Sequence, residues 1–297
     1  MVAGAVFGGR PGTDAWKVLQ PLVARERNEK GKIRVADSKK VHTGPHGLRR
    51  LEETALAFWA VRHGDLPGNL AEWLQQLGCD LAALRRCPWY ERLDQPLPLC
   101  ADRGFVLLHA DRIRRVMEQN DMHLLDVTVR PVDVEEWNGL IAATDNKSKA
   151  HFHAYAEVIA RLLDVLPQGQ AHLVADRCGG RSHYGFQLRR LRPDAQVEVV
   201  SEEQSVSVYT LRESERTTTI TFAEKGEDRA FPTALASCLA KYTRERMVHA
   251  LNQWFATKVP GIAPTAGYYV DGHRFLQDLE PHWNALALPR DLLVRVR

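Results

Sequence analysis

The sequence predicts an α/β fold in which a mixed β-sheet is flanked by helices. Three observations carry this prediction. The chain opens on a continuous apolar run, Val2–Phe7, which suits a buried strand. An amphipathic stretch over Phe152–Leu166 leads through a Pro-Gln-Gly turn into the short apolar stretch Ala171–Asp176, which indicates a helix–turn–strand unit. Strand-like segments then precede a long amphipathic stretch that begins at Pro232, a residue favoured in the first turn of a helix.

The first half of the chain alternates strands and helices around one irregular segment. After the opening strand, a second strand is predicted near Ile33–Val35. A helix is predicted over Gly47–Val61, where apolar residues recur every three or four positions. Residues 64–115 contain four prolines and predict an inserted subdomain. A strand at Leu124–Val129 and a regular stretch at Val134–Ala143 follow.

The second half predicts an enlarged connection with an extra hairpin over residues 183–223. Its strands are expected at Gln196–Val200, Ser205–Leu211 and Thr217–Ala223. The last two are joined around Glu213-Ser214-Glu215. The final long helix is predicted to run from Pro232 to about Lys258. We expect residues 1–297 to form one domain.

Composition narrows the class of protein. The 297 residues are 44% apolar and carry a net charge of +3, so global charge does not indicate a nucleic-acid partner, although several short basic clusters are present. No apolar segment reaches the roughly 20 residues of a membrane span, so we expect no membrane partner. The five cysteines form no CxxC pair, which favours buried thiols over disulfides or a zinc site and predicts a cytoplasmic protein.

Two aspartates stand where functional residues often lie. Asp176 ends a predicted buried strand, and Asp228 follows another strand just before the long helix. Thr233, Ser237 and Lys241 form a polar stripe on that helix, which suits either phosphate binding or an ordinary solvated face. Oxygen ligands favour Mg²⁺ or Mn²⁺ over zinc. Two aspartates are too few for a site with two ions.

Four segments of the chain carry a resemblance to a known family. They are Asp37-Ser38-Lys39-Lys40, the strand that ends at Asp176, the run from Lys225 through Asp228 to Met247, and Gly267-Tyr268-Tyr269-Val270-Asp271-Gly272-His273. In this order they resemble the motifs of the type 2 ribonuclease H family (ribonuclease HII-like). The resemblance covers roughly 240 residues but is poor between the motifs.

The resemblance implies a ribonuclease H-like mixed sheet and a metal-dependent endoribonuclease. Its substrate would be the RNA strand of RNA/DNA hybrids, or ribonucleotides embedded in duplex DNA. Asp176 and Asp228 would be catalytic ligands of Mg²⁺ or Mn²⁺. The nucleic-acid-binding residues would be Lys39, Lys40, Ser237, Lys241 and Tyr268, with Tyr268 near the ribose.

Several of these residues also have an ordinary structural interpretation. Considered alone, Lys39 suits a solvated turn, Tyr268 a core or edge aromatic, and His273 a hydrogen-bonded structural histidine. The wider alternatives are a non-catalytic nucleic-acid-binding module and another nuclease of the ribonuclease H-like fold. We expect a monomer in each case.

The family's opening segment, a strand with the pattern Asp-Glu-x-Gly-x-Gly-Pro, has no counterpart here. The resemblance places two metal-binding carboxylates on that segment, so the chain as written is expected to be inactive or impaired. Met1–Phe7 looks like the family's second strand. Without the first, central strand the sheet is expected to be split. We hypothesise that the natural protein begins upstream, which the DNA preceding the Met1 codon would test.

Overall fold

The protein is a mixed arrangement of helices and strands, described by a computed structural model for residues 1–296. The strands are β1 Val2–Gly9, β2 Val23–Ala24, β3 Ile33–Arg34, β4 Met122–Arg130, β5 Gly169–Asp176, β6 Gln196–Glu202, β7 Val206–Glu213 and β8 Arg216–Ala223. The helices are α1 Ala15–Leu19, α2 Ser38–Val41, α3 Gly47–His63, α4 Leu70–Gln76, α5 Leu81–Leu84, α6 Arg103–Gln119, α7 Val134–Thr144, α8 Lys147–Val165, α9 Gly185–Leu191, α10 Gly226–Arg229, α11 Phe231–Lys258, α12 Tyr269–Leu279 and α13 Trp283–Leu286. The α/β class is confirmed, and the ribonuclease H-like arrangement stays a prediction.

The predicted elements are present with shifted ends. The opening strand extends to Gly9. The helix predicted over 152–166 begins earlier, at Lys147, because the side chain of Asn146 caps it by accepting a hydrogen bond from the Lys149 N–H. Among the helices in residues 1–296, none combines the length and apolar character that crossing a membrane requires.

The larger sheet has the strand order β5-β8-β7-β6. β5 pairs in parallel with β8 along its whole length, from Gly169 opposite Arg216 to Asp176 opposite Ala223. The other two pairs are antiparallel, so the hairpin predicted within residues 183–223 belongs to this sheet. Because parallel strands end at the same edge, the carboxyl ends of β5 and β8 lie side by side.

The opening strand β1 pairs antiparallel with β4 in a separate, two-stranded sheet. Val2 and Val6 belong to a hydrophobic cluster with α8 and the four-stranded sheet. Ala3, Ala5 and Phe7 pack against a larger cluster built largely from α3, α6 and α11. β1 therefore lies between two layers of helices, as a central strand does. That a missing central strand separates the two sheets stays a prediction.

Residues 64–115 contribute to the larger cluster. Trp73 is fully buried, and its indole N–H donates to the Thr243 hydroxyl of α11 at 3.0 Å. The ring of Trp89 stacks on Phe255, also of α11. The segment thus shares the core of the long helix, and its origin as an insertion stays a prediction.

β5 is less buried than the sequence predicts. Leu173 is buried, but the neighbouring positions are half-buried or exposed, and Asp176 itself is exposed. The reason is that β5 has no strand partner on its second edge within residues 1–296. A groove of about 1270 Å³ follows this open edge, with residues 172–176 along one wall and Met1–Phe7 along the other.

Candidate nucleic-acid and metal site

Asp176 lies next to the short helix α10, which follows β8. The turn into α10 places Lys225 in the left-handed region, with φ 55°. Gly226 then passes so close to β5 that a Cβ there would lie 3.1 Å from the backbone nitrogen of Asp176. The Gly226 N–H also donates to Asp176 Oδ1 at 3.3 Å. This close contact holds Glu227 and Asp228 of α10 beside Asp176.

Four carboxyl groups form one electrostatic cluster at this edge. Burial raises the pKa of Glu227, and the negative charges of Asp176, Asp37 and Asp228 raise it further. Like charges of this kind disfavour the ionised form of Glu227. Sequence analysis identifies Asp176 and Asp228 but misses Glu227, whose position next to Asp228 is the available signal.

Asp228 is paired with a lysine of α2. Lys40 Nζ lies 3.4 Å from Asp228 Oδ1, and about half of each side chain is exposed. An exposed pair of this kind contributes at most about 1 kcal/mol, so a ligand can displace it. Of the described residues, Asp176 and Glu227 line the groove and Asp228 does not. Only one of the two predicted aspartates, Asp176, therefore lines the groove.

Ser38 and Ser237 join α2 to α11 at this end of the groove. The Ser237 hydroxyl donates to Ser38 Oγ at 2.9 Å, and the Ser38 N–H donates to Ser237 Oγ at 3.3 Å. Asp37 caps α2 by accepting a hydrogen bond from the Lys39 N–H at 2.9 Å. These contacts fix α2, on which Lys39 and Lys40 are exposed and Lys40 lies beside Asp228.

Lys241 and Tyr268 form a second polar group further along α11. Lys241 Nζ donates to Glu245 Oε1 and to Tyr268 Oη, both at 2.7 Å. The Arg244 guanidinium lies 4.4 Å from the centre of the Tyr268 ring. Because Tyr268 is 56% exposed, its ring is held by two cations and is still accessible to a ligand.

Glu245 should make stability depend on pH. Burial raises its pKa, but the hydrogen bond from Lys241 and the charges of Lys241, Arg244 and His42 lower it overall. A carboxyl with a lowered folded-state pKa stabilises the fold above its unfolded pKa, and this contribution disappears as pH falls through the folded pKa. We expect urea titrations to show stability falling below about pH 4.5. Glu245→Gln should reduce this loss of stability at low pH, whereas substitution of the exposed Glu118 by Gln should not. If the stability of Glu245→Gln depends on pH as that of the unmodified protein does, the stabilising role of Glu245 is contradicted.

A divalent ion fits this site only together with a ligand. Within residues 1–296 no group of three or more His, Cys, Asp and Glu side chains is arranged to hold a metal ion. Mg²⁺, however, is often held by one or two carboxylates and by phosphate oxygens of the substrate. Asp176 and Glu227 suit such a shared site. They do not complete a two-ion site made of protein side chains alone.

The groove collects most of the residues predicted from sequence. Its lining includes Asp176, Ser237, Lys241 and Tyr268, together with two residues that sequence analysis missed, Glu227 and Arg244. Lys39, Lys40 and Asp228 are not among the residues that line it. Comparison with models of known protein families, with curated proteins and with solved structures finds no match.

Proposed function

We propose that the protein is a divalent-metal-dependent endoribonuclease. Its substrate is the RNA strand of an RNA/DNA hybrid, or a ribonucleotide embedded in duplex DNA. The observation that carries the proposal is the contact of Gly226 with Asp176, which places Glu227 and Asp228 of α10 at the carboxyl edge of β5 and β8. Ligands of α/β sheets commonly bind at this edge. Three of the four segments that resemble type 2 ribonuclease H lie around this edge, and the fourth contributes Tyr268 to the same groove.

Basic and aromatic side chains supply the nucleic-acid surface in this proposal. Lys39 and Lys40 are exposed on α2, where they suit contacts to the phosphate backbone. Lys241 and Tyr268 lie along the groove. An accessible aromatic ring beside a cation suits stacking near a ribose and its phosphate, and a contact to the 2′-hydroxyl would distinguish RNA from DNA.

The carboxylates position the ion and the phosphate. When bound, a divalent ion activates water or stabilises the leaving oxygen during hydrolysis of a phosphodiester. Asp176 and Glu227 would hold the ion from the protein side, and Lys241 would restrain the backbone of the substrate. Because the protein donors are few, and because the family resemblance implies two further carboxylates, we propose that this chain cleaves weakly.

A non-catalytic nucleic-acid-binding module is the second candidate. The ion pair between Lys40 and Asp228 favours it, because a lysine already neutralises one of the expected metal ligands. Another nuclease of the same fold class, such as a junction resolvase or exonuclease, differs in substrate. A panel of RNA/DNA hybrid, DNA duplex with one ribonucleotide, and four-way DNA junction separates these classes.

The test combines hybrid binding with cleavage by excess protein in Mg²⁺ or Mn²⁺. The proposal predicts saturable binding of the hybrid, and slow cleavage that stops when a chelator removes the ion. Binding without cleavage supports the non-catalytic module and contradicts the nuclease. Preferential cutting of the four-way junction, or no binding to any of the three substrates, also contradicts the proposal.

Binding should weaken steeply as salt rises. Three phosphate contacts, from Lys39, Lys40 and Lys241, would lower hybrid affinity about fortyfold between about 50 and 200 mM salt. The slope of log affinity against log salt concentration should decrease in Lys40→Met by the share of about one phosphate contact. Lys17→Met, on the exposed side of α1, should leave this slope unchanged. Fluorescence anisotropy at four salt concentrations measures the slope. A flat response argues against nucleic acid as the partner.

A further inference from the structure

The proposed function assigns no role to the enlarged connection between β5 and β8, which contains α9, β6 and β7. β6 is the last strand in the order β5-β8-β7-β6, so its second edge has no strand partner within residues 1–296. An open edge of this kind can pair with another extended chain unless the protein protects it. What it can bind depends on the direction of its backbone groups and on the side chains beside it.

The backbone of β7 determines which groups of β6 point outward. The Glu203 N–H, one position past β6, donates to the Val206 carbonyl at 2.9 Å, so Val206 directs its backbone groups towards β6. Backbone groups alternate sides along a strand. Tyr209 and Leu211 therefore direct theirs towards β8, with which β7 pairs without a register shift.

Val197 and Val199 direct their backbone groups to the open edge of β6. They lie opposite Leu211 and Tyr209, and residues directly opposite each other in an antiparallel pair both face inward or both face outward. A contact from α9 agrees with this orientation, because Arg189 donates to the Val197 carbonyl at 3.4 Å. That hydrogen bond is long, so the N–H of an added strand can replace it.

A bulge limits the length of this edge. The pairing with β7 skips one position between Val199 and Ser201, which leaves Val200 as the extra residue of β6. A bulge disrupts strand pairing and is one way in which proteins protect an edge. The part available for pairing is residues 196–199, about 13 Å at roughly 3.3 Å per residue. A second copy of β6 would bring its own bulge to the contact, which favours a short, separate segment as the partner.

Exposed apolar side chains lie beside the edge. Phe186 of α9 is 66% exposed, and Val199 and Val200 are exposed as well. A Cβ on Gly185 would lie 3.6 Å from Val199 Cγ2, so the start of α9 lies against the same part of β6. Single exposed apolar residues are ordinary on a protein surface, whereas a group of them next to an open strand edge indicates an interaction site.

Two arginines without an acidic partner flank these apolar side chains. The Arg190 guanidinium lies 5.8 Å from the centre of the Phe186 ring, and Arg189 contacts the Val197 carbonyl. Neither arginine forms an ion pair with a carboxylate in the described part of the chain. The acidic residues within β6 are already paired with basic side chains, namely Glu198 with Arg212 and Glu202 with His183. The uncompensated positive charge of α9 therefore suits carboxylates on a partner.

We propose that the open edge of β6 and the outer side of α9 bind a short extended segment of another protein, in which apolar residues precede acidic ones. The segment pairs antiparallel to β6 through the backbone groups of Val197 and Val199, as in β-strand addition. An antiparallel segment runs from Val199, beside the start of α9, towards Val197, beside Arg189. Its apolar side chains contact Phe186, and its carboxylates contact Arg189 and Arg190. This binding does not depend on nuclease activity.

The probe is a synthetic peptide, acetyl-Lys-Thr-Val-Thr-Val-Thr-Glu-Glu-amide, with fluorescein on its lysine. One matched peptide carries an N-methyl group on the second valine, whose N–H would face β6, and another carries it on the threonine before that valine, whose N–H would face away. A third replaces both glutamates with lysine. We expect saturable binding of the parent peptide by fluorescence anisotropy, at least about tenfold weaker binding of the methylvaline and lysine peptides, and nearly unchanged binding of the methylthreonine peptide.

Protein variants locate the bound peptide. The charge reversal Arg189→Glu/Arg190→Glu should weaken binding of the parent peptide at least about tenfold and make the lysine peptide the preferred ligand. Phe186→Ser should weaken binding of the parent peptide at least about fivefold. The matched controls Leu108→Ser and Arg112→Glu, at exposed positions of α6, should leave its affinity within about twofold.

Hydrogen exchange on the unmodified protein provides a second readout. The amides of Val197 and Val199 face the open edge, so they should exchange quickly in the free protein and slowly with bound peptide. The amide of Glu198, between them, faces β7 and serves as an internal control. Its exchange should be the same with and without peptide.

Four results would overturn the proposal. The first is absent binding of the parent peptide, or equally tight binding of the methylvaline peptide, which excludes strand addition. The second is unchanged exchange at Val197 and Val199 with saturating peptide, which places the peptide elsewhere. The third is a dimer, detected by light scattering, in which both amides are already protected, so that a second copy covers the edge. The fourth is a thymidine oligonucleotide that displaces the peptide and binds weakly to Phe186→Ser, which assigns the surface to single-stranded nucleic acid.

Discussion

Replacing Asp176 with asparagine is expected to slow cleavage of an RNA/DNA hybrid at least about a hundredfold while leaving hybrid affinity within about twofold. Asparagine keeps the size of the side chain and can accept the hydrogen bond from the Gly226 N–H. It removes the negative charge that would hold a divalent ion, and such an ion stabilises the transition state by several kcal/mol. Because each loss of about 1.4 kcal/mol slows the reaction tenfold, a large decrease in rate is expected. Single-turnover rates with protein in excess measure this loss separately from binding.

Asp194 offers a matched control for this substitution. It is an exposed aspartate between α9 and β6, away from the groove. Asp194→Asn should cleave and bind like the unmodified protein. Equal cleavage rates for Asp176→Asn and Asp194→Asn would remove Asp176 from the site, and near-normal cleavage by Asp228→Asn would likewise refute a ligand role for Asp228.

Glu52 is expected to be the most costly carboxylate to remove from the fold. It is fully buried on α3. Its oxygens accept hydrogen bonds from the backbone N–H groups of Leu99, Cys100 and Ala101 and from the hydroxyl of Tyr242. One side chain thus ties the segment before α6 to α3 and α11. Sequence analysis gives no sign of this, because the partners lie 47 to 190 positions away.

Glu52→Ala should lower the free energy of unfolding by about 2–4 kcal/mol, because it leaves the buried Tyr242 hydroxyl and three part-buried backbone N–H groups without their acceptor. Tyr242→Phe removes only one donor and should cost about 1 kcal/mol. Urea denaturation followed by circular dichroism measures both values. A cost below about 1 kcal/mol for Glu52→Ala would show that water or another acceptor replaces the carboxylate.

Local patterns predicted the elements well, because the features that fix them are short-range. The apolar face of α8 recurs along its own sequence, and the capping residue Asn146 adjoins the helix it stabilises. The alternation of apolar and polar residues in 206–223 likewise predicts strands with one buried face, as observed in β7 and β8. Burial of β5 was overpredicted, since burial depends on what lies across its second edge, and the sequence of β5 does not encode that.

The candidate site was only partly predictable for a similar reason. Glu227 and Asp228 are adjacent, and neighbouring residues of a helix point in different directions. Which of them faces the groove depends on the turn at Lys225 and on the contact between Gly226 and β5. The pairing of Asp228 with Lys40 joins residues 188 positions apart, so it has no local signal.

Binding of Mn²⁺ to the protein–hybrid complex tests the central claim most directly. Isothermal titration should detect at least one Mn²⁺ bound by the complex of the unmodified protein. The account predicts that the Asp176→Asn/Glu227→Gln double variant binds the hybrid with similar affinity but binds Mn²⁺ at least about tenfold more weakly. Equal binding of Mn²⁺ by the two complexes would contradict the claim that these carboxylates seat a divalent ion beside nucleic acid.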